Sequence, residues 1–146
     1  MKNKIQLSEA EIHKQICEYI KIQYPKVLFN TDLAGLNMTM GQAKKAKNLR
    51  SQNGFPDIQI LETRHNGTTQ IQWYGENKVF DTYLFCGLFL EVKKETPYKK
   101  DGDLKKNPHL ELQNELHIKL RLQGYMVEFV WTFEQGKKII DNYLRK

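Results

Sequence analysis

Sulfur is scarce in this chain: Cys17 and Cys86 are the only cysteines in 146 residues. Two thiols build neither a disulfide framework nor a four-ligand zinc knuckle. Long apolar runs are also missing. The longest, residues 83–90 (YLFCGLFL), is broken by Cys86-Gly87 and falls far short of the ~20 residues a membrane-spanning helix needs. Met1-Lys2-Asn3-Lys4 leads into polar sequence instead of a hydrophobic signal core, so neither secretion nor membrane association is expected. Several large enzyme classes lose their usual support as well. No Gly-x-Ser-x-Gly elbow, His-Glu-x-x-His pair or Gly-x-Gly-x-x-Gly turn occurs. Residues 41–47 (GQAKKAK) are not a phosphate-binding loop, because no Gly-Lys-Ser/Thr follows the glycine at the required distance. There is no internal repeat and no low-complexity segment.

The last absence is acidic. Between residues 33 and 56 there is no Asp or Glu, while Lys44, Lys45, Lys47 and Arg50 add four positive charges. A second basic stretch, Lys93, Lys94, Lys99, Lys100, Lys105 and Lys106, is diluted by Glu95, Asp101 and Asp103. Overall, 23 Lys+Arg against 17 Asp+Glu leaves a net charge of +6. This balance permits a polyanionic partner without requiring one. Clusters of this kind either form a solvated face or neutralise phosphates by displacing condensed counterions. The length suits one domain, residues 1–146, and a hydrophobic content of 40% argues against global disorder.

Local signals predict a mixed α/β domain. Ser8 and Glu11 form a capping box, and Ile12, Ile16, Tyr19 and Ile20 recur at helical spacing until Tyr24-Pro25. Residues 26–30 (KVLFN) read as a short strand, and a short helix is expected over 41–50. Residues 57–61 (DIQIL) alternate as a strand, and His65-Asn66-Gly67 is a hairpin-turn signal before 69–74. A second turn near Gly75-Glu76-Asn77 leads to strands over 79–85 and 87–93. Residues 95–106, with Pro97 and Gly102, read as a mobile loop. Asn107-Pro108 opens a helix with Leu112, Leu116 and Leu120 as its apolar stripe, ended by Gly124. A strand over 125–131 and a helix capped by Thr132 and Gln135 complete the chain. Tyr125, Phe129 and Trp131 read as sheet core in preference to a base-stacking platform.

Two short pieces carry chemistry. Gly54-Phe55-Pro56-Asp57 places a carboxylate at the entrance of one strand. Glu91-Val92-Lys93 places a carboxylate and an amine on one face of another, since strand side chains alternate with period two. Carboxylates brought together by adjacent strands can hold Mg²⁺ or Mn²⁺, and a lysine beside them can orient water or stabilise a phosphorane-like transition state. Taken alone, Glu91 and Lys93 are equally a surface ion pair. Their position after Leu88-Phe89-Leu90 puts them in the expected central strand.

GFPD, then GLFLEVKKE, a helix with Gln113, and GYMVEFVWT resemble, in that order, the PD-(D/E)XK nuclease superfamily. The resemblance is to the VRR-NUC type, including its small stand-alone phage members, and runs from Glu9 to about Tyr143. It implies a restriction-endonuclease-like mixed central sheet flanked by helices, and metal-dependent phosphodiester hydrolysis. By that resemblance Asp57 and Glu91 bind Mg²⁺ or Mn²⁺ with the Val92 carbonyl, and Lys93 supports the attacking water. Gln113 positions a phosphate or Lys93, and a first-helix glutamate assists. With Glu9 set at 0°, Ile12, Ile16 and Ile20 fall at about 300°, 340° and 20°. Glu9 thus shares the apolar stripe, whereas Glu11 lies opposite and already caps the helix, so Glu9 is chosen. Gln113 lies on the flank of its stripe, and Glu111 and Glu115 fall away from it. The four histidines (His13, His65, His109, His117) have no metal-ligand spacing and are left outside the site. Lys94 is expected on the face opposite Lys93, against DNA or solvent.

Asp57 and Glu91 stand 34 positions apart, enough for an extra β-hairpin near 63–82 between the motif strands. The resemblance implies DNA as partner, branched (Holliday-junction-like) or duplex. It also implies a homodimer, no small-molecule cofactor, and the cytoplasm of a bacterial or phage-infected cell. Lys44, Lys45, Lys47, Arg50 and Lys94 are the expected DNA-backbone contacts. The rival reading keeps the fold as a non-catalytic branched-DNA-binding module beside a helicase or repair complex. A third, a protein-interaction domain, predicts neither DNA binding nor stabilisation by divalent metal.

Overall fold

Ser8 begins the first helix as its spacing to Glu11 requires. Its hydroxyl accepts from the Glu11 N–H at 3.2 Å, and Glu11 returns a 2.8 Å bond to the Ser8 N–H. Such a box is worth about 1 kcal/mol. The computed structural model describes residues 6–32, 39–73 and 76–145, the side chains of 65–83 excepted. Over these residues the order is α1 (Glu9–Gln23), β1 (Phe29–Thr31), α2 (Met40–Leu49), β2 (Ile58–Ile60), β3 (Arg64–Trp73) and β4 (Glu76–Phe85). It continues with β5 (Leu88–Val92), α3 (Pro108–Leu122), β6 (Met126–Val130) and α4 (Phe133–Leu144).

The central sheet has the order β1-β2-β5-β6; the first two pairings are antiparallel and β5-β6 is parallel. β5 is buried along its whole length, as a strand covered on both faces must be. Its alternation sorts the two cores. Leu88, Leu90 and Val92 join Ile58 and Ile60 against α1 (Ile12, Ile16, Ile20) and α4 (Ile140, Tyr143). Phe89 points the other way and packs with Leu116 and Leu120 of α3 and with Val127. Glu91 shares the parity of Phe89, which aims it at α3. Gly136 lets α4 approach α1, since a Cβ there would stand 2.7 Å from Ile16 Cδ1.

The inserted hairpin is present as a separate two-stranded sheet, β3-β4, and does not extend the central one. Its base is held by Phe85 against Tyr143, whose hydroxyl donates to the Glu62 carbonyl at 2.7 Å. His65-Asn66-Gly67 is not its turn. These residues lie inside β3, where register shifts flank His65, so the flexible Asn-Gly pair is absorbed as a strand irregularity. β2 consequently pairs with β1 and β5 instead of with β3. The second expected turn moves too: Glu76 and Asn77 belong to β4, and Gly75 lies outside the described residues.

Three further differences are local. The first strand is Phe29–Thr31, later than 26–30. The buried face of α3 is Leu110, Gln113, Leu116, His117 and Leu120, while Leu112 is 57% exposed. The stripe is rotated because α3 docks on Phe89 and Glu91 of β5. The 95–106 loop is organised by a Tyr98–Leu104 bridge and by Lys105 N–H donating to the Pro97 carbonyl at 2.8 Å. Among the described residues no helix is long and apolar enough to cross a membrane.

Candidate functional site

Where β2 ends and β5 continues, a gap opens in the ladder, and Asp57 fills it. Its Oδ2 accepts the Val92 N–H at 2.7 Å, a backbone donor with no strand partner on that side. In an extended strand the Val92 carbonyl leaves on the same side as its N–H, so it too faces the Asp57 edge. The turn before Asp57 is fitted to α3. Gly54 has φ +86°, a conformation glycine adopts freely, and a Cβ there would touch Gln113 Cγ at 3.5 Å. Pro56 is fully buried. The GFPD segment is thus clamped between the sheet and the Gln113 turn of α3.

Glu91, 3% exposed, is the centre of the cluster. Its Oε1 accepts from Lys93 Nζ at 2.9 Å and from the Gln113 side-chain amide. Its Oε2 is buried without a hydrogen-bond partner, as is Gln113 Oε1. Burial and then the neighbouring Asp57 charge push the Glu91 carboxyl up to about 8, against the opposing pull of Lys93. Asp57 is also pushed above the usual carboxylate range, first by burial and then by the Asp32 charge; the Val92 N–H, His13 and Lys93 oppose this. A buried carboxyl raised by a half-buried one beside it lacks positive charge, which is the demand a cation answers.

Glu9 is exposed, not seated in the apolar stripe, because the first turn of α1 overhangs the end of β5. It still reaches the site, where its Oε1 accepts the Lys94 N–H at 3.1 Å. Among the described residues no three His, Cys, Asp or Glu side chains form a ready metal cage. The donors nevertheless fit Mg²⁺ or Mn²⁺. Mg²⁺ commonly takes only one or two protein carboxylates and completes its shell with water and phosphate oxygens, and Glu91 Oε2 is an orphaned acceptor.

Residues outside the motif border the site as well. A cleft of about 370 Å³ is lined by Glu9, His13, Asp57, Val92 and Lys94. His13 Nε2 lies 2.5 Å from Thr31 Oγ1, and the Asp32 N–H donates to the Asp57 carbonyl at 2.7 Å. His13 lacks ligand spacing but stands one turn beyond Glu9 on α1, and that i, i+4 relation is the signal in the sequence that places it here. Asp32 comes from the end of β1 and has no such signal. Lys94 does not turn away from Lys93: β5 ends at Val92, alternation stops, and both lysines line a groove of about 610 Å³ with Glu9, Lys105 and Lys106.

The α2 cluster divides. Lys44, Lys45 and Lys47 are on a helix with no buried residue, whose surface lysines are solvated or free to meet phosphates. Arg50 instead bonds Asp32 at 2.5 Å. His117 is fully buried at α3 against Phe129 (ring centroids 4.5 Å apart), neither nitrogen bonded. Burial and then Arg121 and Lys93 lower it to about 4, so it is neutral at pH 7. As expected, Glu111 and Glu115 face away from the sheet.

Neither a family model nor a curated protein sequence matches the chain. Among solved structures, one described as "VRR_NUC domain protein" superposes with a TM-score of 0.59 at 21% identity, covering 95% of this chain and 89% of that one. The fold is that of a VRR_NUC domain. It is the expected restriction-endonuclease-like arrangement, a mixed central sheet flanked by helices, with the β3-β4 hairpin inserted between β2 and β5.

Proposed function

We propose that this chain is a Mg²⁺- or Mn²⁺-dependent DNA endonuclease of the PD-(D/E)XK type, acting on branched DNA as a homodimer. The observation that carries the reading is a buried Glu91 whose one oxygen is held by Lys93 and whose other has no hydrogen-bond partner. It is raised by the charge of Asp57, itself tied to the Val92 N–H next along the strand. The VRR_NUC fold supports it. A pure DNA binder has no evident use for a buried Glu91 raised by the charge of a neighbouring Asp57.

Asp57 and Glu91, with the Val92 carbonyl, would hold the ion, and Glu9 would assist from α1, directly or through water. Bound there, a divalent ion lowers the pKa of water and offsets charge on the scissile phosphate. Lys93, 13% exposed and fixed by Glu91, orients the attacking water and donates to the phosphate oxygen as negative charge develops. Gln113 holds Glu91 in place through Oε1, which leaves Oε2 without a protein partner and would free it to hold the ion. Lys94 and the α2 lysines attract the DNA backbone.

Cleavage of matched four-way-junction, flap, single-stranded and linear duplex DNAs, with Mn²⁺ and with EDTA, tests this function. The reading predicts Mn²⁺-dependent hydrolysis fastest on the branched substrates, by a protein sedimenting as a dimer. No turnover on any of the four, with salt-dependent binding retained, would point instead to a non-catalytic DNA-binding module.

A further inference from the structure

The groove beside Lys93 does not end at its lysines. Gln6, Lys94, Glu95 and Thr96 line it and equally line a second compartment of about 640 Å³, so the two are contiguous. Gln6 Nε2 donates to the Lys94 carbonyl at 3.2 Å and forms the strut between them. The chemistry changes across that strut. On the Lys93 side stand Lys94, Lys105 and Lys106. On the far side the walls are Leu7, Ile12, Trp131 and Phe133, with Glu134 at the rim. Trp131 is half-buried and braced edge-on by Tyr98 at 6.1 Å. Phe133 is braced in the same way by Tyr19 at 5.7 Å.

A cationic compartment followed by an aromatic one is the order in which a nucleotide presents its phosphate and its base. We infer that the Trp131 compartment receives an unpaired nucleobase of the strand whose phosphate lies at Lys93 and Lys94, an assignment that rests on the nuclease reading above. Several observations select a base over other occupants. Glu134, which lines only the aromatic compartment, repels a phosphate but accepts hydrogen bonds from the amino and imino groups of a base. The volume lies within the ~300–1,000 Å³ of small-molecule sites. Its walls join the cationic groove directly, so a chain threaded through one enters the other. The assignment also gives a physical source for selectivity. Extracting a base from intact duplex costs a few kcal/mol, which is least for a base already unpaired, so a fork or branch point fills the compartment where linear duplex does not. Trp131, read from its alternation as sheet core in preference to a base-stacking platform, thus borders a cavity at the end of its strand.

The chain has two tryptophans, so a Trp73→Phe variant of the full chain reports on Trp131 alone. It is titrated in EDTA, without turnover, with a forked DNA carrying a single abasic nucleotide at successive positions of each unpaired arm. Stacking on an aromatic side chain is sequence-tolerant and strong enough to be read by such a scan. The expected result is Trp131 quenching by the intact fork but not by linear duplex. One abasic position should weaken binding about 10-fold and remove the quench. Trp131→Ala should flatten the profile, and Trp131→Phe should retain it. A flat scan with the Trp73→Phe protein, which needs no change at Trp131, overturns the inference, as does equal quenching by linear duplex. Both readouts are equilibrium binding, so loss of the nuclease reading would appear separately, as metal-dependent cleavage that is absent or survives Asp57→Ala.

Discussion

The Gln113 amide donates to the same Glu91 oxygen that Lys93 Nζ holds at 2.9 Å, so a helix and a strand meet on one carboxylate atom. Glu91 is thereby fixed from two sides while its second oxygen has no hydrogen-bond partner. Side chains that orient a metal ligand typically contribute about 10–100-fold in affinity or rate. Gln113→Leu should accordingly slow Mn²⁺-dependent cleavage by roughly 10–100-fold and weaken the Mn²⁺ dependence, with DNA affinity in EDTA unchanged. Equal loss of DNA binding would place Gln113 against the DNA instead of behind Glu91.

The Asp57 charge pushes the Glu91 carboxyl up, and burial disfavours the charged form of both groups. Asp57→Asn keeps an oxygen for the Val92 N–H and removes one charge. It should raise the melting temperature in EDTA by about 2–4 °C, the shift that ~1 kcal/mol produces in a domain of this size. It should also abolish the rise that Mn²⁺ brings to the unsubstituted protein. Thermal melts with and without Mn²⁺ check both. A variant that melts lower in EDTA would show the Asp57 charge to be stabilising.

His117 provides the pH dependence. Its folded value of about 4 lies below the ordinary value near 6.5, so the unfolded chain takes up a proton before the folded one does. The contribution is fully present above about pH 6.5 and is lost as pH falls towards 4, on the order of 3 kcal/mol in all. His117→Leu should remove that acid-side loss from denaturant-measured stability and leave the opposite trend of Glu91, whose raised value makes stability fall as pH rises from about 4.5 towards 8. Asp141 acts below it. Burial pushes its carboxyl up, but bonds from Tyr19, Tyr24 and Lys137 prevail and hold it well under the usual range. Its contribution is present above about pH 4 and fades as pH falls further, so acid unfolding of the His117→Leu protein should persist there. A His117→Leu protein still losing stability between pH 6.5 and 4 would contradict the assignment.

Charge on α2 should be read through salt. Every phosphate that a lysine no longer neutralises lowers the slope of log K against log salt by roughly 1. Replacing Lys44, Lys45 and Lys47 together with alanine should reduce that slope by about 3 without altering the melt. Arg50 is engaged with Asp32, beside Asp57, so Arg50→Ala should change stability more than the slope. An unchanged slope in the triple variant would remove α2 from the DNA path.

The local half of this architecture is legible in the chain. Ser8 with Glu11, Asn107 before Pro108, and Thr132 with Gln135 each mark a helix start that is observed. Period two alone puts Glu91 and Lys93 on one face. Tertiary docking decides the remainder. Leu112 and Gln113 are adjacent in sequence, and only the contact with β5 determines which is buried. Asp32 joins Asp57 through a pairing distant in sequence, with no motif to announce it, whereas His13 is announced only by standing one turn beyond Glu9. The Asn66-Gly67 signal is a genuine local preference that a long strand overrides by shifting register. Trp131 has the alternation of a core residue, yet it borders a cavity because the strand ends at Val130.

The central claim is that Asp57, Glu91 and Lys93 form one hydrolytic centre. Its most direct test is the Mn²⁺-dependent cleavage rate on a four-way junction for the unsubstituted protein, Asp57→Ala and Lys93→Ala, with circular dichroism confirming that all three are folded. Cleavage by the unsubstituted protein alone, with both variants at background, is the predicted result. Undiminished cleavage by either folded variant would contradict the account.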